Sequence, residues 1–194
     1  MMKQNVPEDK VNWLDQARLS DNYWIKNIYQ VKELDGGDLE VEGNYHRYLP
    51  AKNILIRVSS NATIEEFIRV THSALLSGAK FRLSIDSGFT KSTGVELGAL
   101  VNRLNEEGRD VRFESEEEFN PNIRPGTRLI LIGARDEKTS QLQANPDLFV
   151  IAGKATKSGR ATLLAFYREQ SISITQHRFG AISAELVNIF KPLG

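Results

Sequence analysis

The sequence contains no cysteine, which removes disulfides, thiolate metal sites and a cysteine nucleophile together. Histidine is nearly as scarce: His46, His72 and His177 stand far apart with no His-x-x-x-His pair, so the spacing of a zinc site is missing. Excess charge of one sign is absent as well, because 25 basic residues balance 25 acidic ones. A balanced chain gives no electrostatic case for nucleic acid or an anionic membrane as partner. No run of about 18 apolar residues occurs, and the start MMKQNVPEDK has no apolar signal core. A soluble, cytoplasmic protein is expected. The doubled Met1-Met2 suits a segment of something longer. Neither a repeat with a period of 20 to 50 residues nor a low-complexity tract is present.

What is present is ordinary core-forming material, with 40% hydrophobic residues in 194. Three parts are expected: an N-terminal helical arm and linker over 1–43, a Rossmann-like α/β body over 44–160, and a β-flap with a terminal helix over 161–194. In the arm, Val11, Leu14, Ala17, Trp24, Ile25, Ile28 and Val31 follow a helical stripe with an interruption near Leu19–Asn22. Asp35–Gly43, with Asp-Gly-Gly-Asp, reads as the linker.

The body opens with a buried strand at Asn53–Val58. A helix follows, with Thr63 and Glu66 as a capping box and Ile64, Phe67, Ile68, Thr71, Ala74 and Leu75 on one face. It stops at Gly78, and Ala79–Ile85 forms the second strand of a right-handed βαβ unit. Helix around Val95–Leu104, strand at Asp110–Glu114, a turn of helix at Glu116–Phe119, strand at Arg128–Ile132, weak helix at Ala134–Ala144 and strand at Asp147–Ala152 continue the alternation. This order predicts an open, mostly parallel sheet flanked by helices.

The last part reads ATLLAFYREQSISITQHRFG over Ala161–Gly180. Two strands are expected there, with Arg168, Glu169 and Gln170 between them. In the second, Ser171, Ser173, Thr175 and His177 face one way and Ile172, Ile174 and Gln176 the other. A terminal amphipathic helix is expected over Ala181–Phe190.

Each candidate site has a plain alternative. The loop Ser87–Gly94, SGFTKSTG, sits where backbone amides could cradle a phosphate, but it lacks dinucleotide glycine spacing and the Gly-Lys-Ser/Thr ending. Gly133 and Gly153-Lys154 are further anion turns or simple connections. His177 and Glu169 are a conceivable acid and base, although no serine stands in a nucleophile elbow; structural hydrogen bonding is the simpler role. Residual nucleotide binding and self-association through the ribbon both remain open.

Tyr167–Gly180, YREQSISITQHRFG, resembles the C-terminal motif of bacterial bifunctional proline utilization proteins, in which a proline dehydrogenase is fused to a 1-pyrroline-5-carboxylate dehydrogenase. Asn44–Val58, NYHRYLPAKNILIRV, is similar to the Arg-Tyr-x-Pro segment following the catalytic domain in such chains, and Asn22, Tyr23 and Trp24 to the helix before it. The resemblance implies an aldehyde dehydrogenase-like, incomplete Rossmann-like domain without catalytic residues, whose C-terminal β-ribbon is a flap. Its implied partner is an aldehyde dehydrogenase catalytic domain of the same or a neighbouring chain, with a homodimer possible and NAD held by that catalytic domain. The implied docking residues are Arg168, Glu169, Gln170, Ile172, Ile174, His177, Arg178 and Gly180. The chain departs from an active aldehyde dehydrogenase in lacking cysteine, in reading Leu83-Ser84 where a Lys-Pro pair holds the cofactor ribose, and in carrying Ala152 before Gly153-Lys154. No cofactor is therefore expected on this chain.

Overall fold

The structure, a computed structural model, describes residues 6, 8–31, 34–39, 42–134 and 136–175. Its body is a five-stranded parallel sheet of strands β3 (Ile54–Val58), β4 (Phe81–Ile85), β5 (Asp110–Phe113), β6 (Arg128–Ile132) and β7 (Phe149–Ala152), in the order β5-β4-β3-β6-β7. The chain walks outward from β3 to β5, then returns to the other side of β3 with β6. That reversal makes the β3/β6 boundary the topological switch point of a partial Rossmann-like fold.

Side-chain alternation places an apolar layer on each face. Ile130 and Ile132 join Ile56, Leu83 and Ile85 in the main core, under helices α2 (Ile64–Leu76) and α4 (Gly98–Glu106). Leu129 and Leu131 point the other way and pack with Phe119 and Leu142, from α5 (Glu116–Phe119) and α6 (Glu137–Gln143). Helix α2 begins as its capping box requires: the Glu66 amide donates to the Thr63 hydroxyl and the Thr63 amide to the Glu66 carboxylate, both at 3.3 Å. It gives way to Gly78 at φ +71°, in the left-handed region that glycine enters without strain.

The arm is one helix. Helix α1 runs unbroken over Glu8–Trp24, so the interruption expected near Leu19–Asn22 is absent, and a π-turn continues it over Ile25–Tyr29. Leu14, Ala17, Asp21, Ile25 and Tyr29 are its buried line, and polar Leu19–Asn22 stays helical because Asp21 has a buried partner. The expected linker is also structured. Strands β1 (Leu34–Leu39) and β2 (Glu42–Pro50) pair antiparallel, with a register irregularity between Asp35 and Asp38 where the two glycines relax the ladder.

The stretch at 161–166 departs from the expected strand. Gly159–Leu164 is a short helix, α7, capped by Ser158. A short apolar run does not by itself distinguish strand from helix. Here Leu163 is buried and its neighbour Leu164 is 55% exposed, as in a segment with one covered side. A single strand, β8 (Tyr167–Thr175), follows and pairs antiparallel with β2 along its whole length, completing a second sheet in the order β1-β2-β8. Arg168, Glu169 and Gln170 therefore lie within a strand rather than between two. His177, Arg178, Gly180 and the expected helix over 181–190 lie outside the described residues. Among the described residues, no helix is long and apolar enough to cross a membrane.

Candidate functional site

Two places could carry function: the crevice at the carboxyl ends of β3 and β6, and the ribbon formed by β2 and β8. The crevice is a cavity of about 800 Å³ lined by residues including Trp13, Arg57, Glu66, Asp86 and Gly133. Ligands in open α/β sheets enter at this point. At the head of α2, however, the anion position is taken by the Glu66 carboxylate of the capping box. The loops after β3 and β6 are also in contact. The Ser59 amide donates to the Ile132 carbonyl at 3.0 Å, and a Cβ added to Gly133 would lie 2.3 Å from the Ala62 nitrogen. Glycine at 133 thus serves a close approach of two loops.

The polar groups below are paired with one another. Arg57, buried within β3, donates to the Ser84 hydroxyl and the Glu114 carbonyl at 2.8 Å each and to Asp86 Oδ2 at 2.7 Å, with its guanidinium over the Phe119 ring. Asp86 Oδ1 accepts from the Gly88 amide at 2.8 Å and so caps helix α3 (Ser87–Thr93). The SGFTKSTG segment is that helix, closed by Gly94 in the left-handed conformation, where a loop was the expectation. Among the described residues, no group of three His, Asp or Glu side chains could hold a metal ion.

The ribbon has two faces fixed by register. Tyr48 opposes Glu169, Arg47 opposes Gln170, His46 opposes Ser171 and Tyr45 opposes Ile172. On one face Arg47 Nε donates to Gln170 Oε1 at 2.6 Å, beside Ile172. On the other, Ser171 Oγ lies 2.9 Å from His46 Nδ1, and Glu169 Oε1 lies 3.5 Å from the same nitrogen. A catalytic relay needs its nucleophile and its carboxylate on different ring nitrogens. Sharing one nitrogen makes this a hydrogen-bond cluster. Sequence reasoning linked Glu169 with His177, which lies outside the described residues; the structure places Glu169 beside His46. The alternation of Asn44, His46 and Tyr48 against Tyr45, Arg47 and Leu49 carried the signal for β2, and only the strand pairing shows its partner. Arg168, Glu169, Ser171 and Ser173 are exposed, while Gln170 and Ile172 are half-buried. The Ile174 side chain lies outside the described set.

The base of the ribbon is fastened down. Tyr29 stacks on Tyr167, with centroids 4.5 Å apart and planes at 13°, and meets Tyr48 edge-on at 5.0 Å. Its hydroxyl donates to the Arg160 carbonyl at 2.8 Å, and burial pushes its pKa up to about 12. Arg128 Nη1 donates to the Ala165 and Tyr167 carbonyls at 2.9 and 2.6 Å.

A third cluster, unforeseen from sequence, ties α1 to α2. Arg69 and Asp21, both fully buried, form a two-pronged ion pair at 2.5 and 2.9 Å, and Ser73 Oγ donates to Asp21 at 2.9 Å. Arg69 Nε also donates to the Thr156 carbonyl at 2.8 Å. Beside them, burial pushes the half-buried His72 imidazole below its ordinary pKa, which Asp21 partly counters. An acid at the third position of the stripe Leu14, Ala17, Asp21, Ile25 was the available clue.

These features define the class: an α/β domain of partial Rossmann type, with a crevice at the carboxyl ends of its strands and a second, antiparallel sheet. No protein-family model matches the sequence, and no curated protein matches it. Among solved structures the chain is similar to Proline Utilization A from Corynebacterium freiburgense, with a TM-score of 0.56 and 25% sequence identity over 91% of this chain. The chain spans 15% of the length of that protein.

Proposed function

We propose that this chain is a non-catalytic C-terminal domain of a 1-pyrroline-5-carboxylate dehydrogenase in proline catabolism, and that its ribbon docks on the aldehyde dehydrogenase catalytic domain. The observation that carries this reading is the ribbon itself. It is held at its base by Tyr29 and Arg128, yet it leaves Arg168 and Glu169 exposed beyond that base. The likeness to Proline Utilization A supports the metabolic setting.

Docking would supply partners for Arg168 and Glu169, whose unpaired burial would be costly, while Ile172 adds apolar contact. Support is structural: closing the cavity of the catalytic domain, joining subunits, or both. The crevice offers a dinucleotide no free helix head at α2, because Glu66 caps it, and the loops after β3 and β6 meet at Ala62 and Gly133. The cofactor NAD would then belong to the catalytic domain. Deleting Tyr167–Gly180 from a full-length chain that carries both domains is expected to lower aldehyde oxidation or change the oligomeric state. Unchanged activity together with an unchanged assembly would refute the reading.

A further inference from the structure

We infer that Tyr29 is the positioning residue of the ribbon, and that the π-turn sets the pose in which the ribbon leaves the body. The π-turn packs on β2 and α7 on β8, and Arg128 of β6 adds its hydrogen bond to the Tyr167 carbonyl. One ring touches both strands where they meet the body: Tyr29 lies flat on Tyr167 of β8 and edge-on to Tyr48 of β2. Its hydroxyl reaches a third element through the Arg160 carbonyl of α7. A side chain that is only 4% exposed thus joins the end of the arm, both ribbon strands and α7.

The backbone explains why this ring points there. In a regular α-helix a step of four residues overshoots a full turn by about 40°. Two such steps, from Asp21 through Ile25 to Tyr29, would swing the ring well off the line of Asp21. The Gln30 amide instead bonds the Ile25 carbonyl at 2.8 Å, five residues back, so the last turn holds more residues and the overshoot is undone. Tyr29 stays in line with Asp21, and Asp21 is bolted to α2 through Arg69. The ring's position is thereby referenced to the α/β body.

The consequence is leverage. The nine residues of β8 extend roughly 27 Å at about 3.4 Å per residue, so a tilt of about 10° at the base moves the far end by about 5 Å. A shift of that size misaligns any docked contact, so the ring that fixes the base fixes what the ribbon can reach. The functional weight of this inference rests on the docking role proposed above; the pose itself is measured without a partner.

The absence of cysteine makes the test clean, since introduced cysteines are the only labelling sites. Pairs of spin labels are placed in the full chain at Ser173→Cys with Glu106→Cys, reporting ribbon against body, and at Lys91→Cys with Glu106→Cys, reporting the body alone. Each pair is measured in the parent, in Tyr29→Phe, in Tyr29→Leu and in Tyr48→Leu. The expected result is one narrow ribbon-to-body distance in the parent and in Tyr29→Phe, which keeps the stacked ring. Tyr29→Leu should lose it to a broad distribution, and Tyr48→Leu should broaden it less, while the body pair stays narrow throughout. A ribbon-to-body distance still narrow in Tyr29→Leu would overturn the inference. So would equal broadening of the body pair, which would make Tyr29 a general core residue. Failure here leaves docking untouched, and failure of docking leaves these distances unchanged.

Discussion

Asp21 and Arg69 show how a single polar position can organise a fold. Each is fully buried, and each satisfies the other's charge with help from Ser73 and the Thr156 carbonyl. Removing one partner leaves a buried charge uncompensated, which costs about 3–5 kcal/mol, whereas replacing both by apolar groups is often neutral. Asp21→Ala is therefore expected to lower unfolding free energy by about that amount in urea titration. Asp21→Leu combined with Arg69→Met should recover most of it. Equal losses in the single and double variants would show that packing, not charge, fixes α1. The pair was only half legible in the sequence. The stripe of α2, Ile64, Phe67, Ile68, Thr71, Ala74 and Leu75, leaves Arg69 on the outside, because a one-dimensional pattern does not show that α1 covers that side too.

At the scale of elements, what was legible and what was not follows from the range of the interactions. Helix α2 and the strands at Ile54–Val58 and Arg128–Ile132 are encoded locally, by a capping box and by short Ile/Leu/Val runs. The π-turn, β1 with β2, and α7 are decided by contacts across the chain. Pro50 pairs with Tyr167 and Ala51 donates to the Phe166 carbonyl, and nothing near Ala161–Phe166 announces those partners. The aromatic base of the ribbon yields a pH prediction. Burial raises Tyr29 to about 12 and raises Tyr167 in the same direction, while the unfolded chain titrates near 10. The unfolded state therefore loses its protons first, so this stabilisation is complete below pH 10 and is lost as pH climbs from 10 to 12. Hydrogen exchange of β2 and β8 should quicken over that interval more than exchange of β3 and β6. Tyr29→Phe should reduce the extra loss. Uniform loosening of both sheets would assign the effect to general alkaline unfolding.

The whole molecule is a small Rossmann-like body, with a crevice at the carboxyl ends of β3 and β6, joined to a second, antiparallel sheet. The alternation of strands and helices made the first half of that statement legible. Parallel pairing follows from βαβ connectivity, whereas the return of β6 to the far side of β3 is set by tertiary contacts. That Glu66 takes the anion position at the head of α2 was not legible, because a capping box looks the same whether or not a ligand needs the place it fills. The alternation at Ser171, Ile172 and Ser173 predicts a two-faced ribbon, but its pairing with Glu42–Pro50 is made across the chain.

The direct measurement is a calorimetric titration of this chain into the aldehyde dehydrogenase catalytic region of a 1-pyrroline-5-carboxylate dehydrogenase from the same genome. Saturable binding that weakens at least about tenfold when Arg168→Glu and Glu169→Lys are combined is the expected result, a tenfold change being about 1.4 kcal/mol. No binding, or binding indifferent to both substitutions, would contradict a docking ribbon.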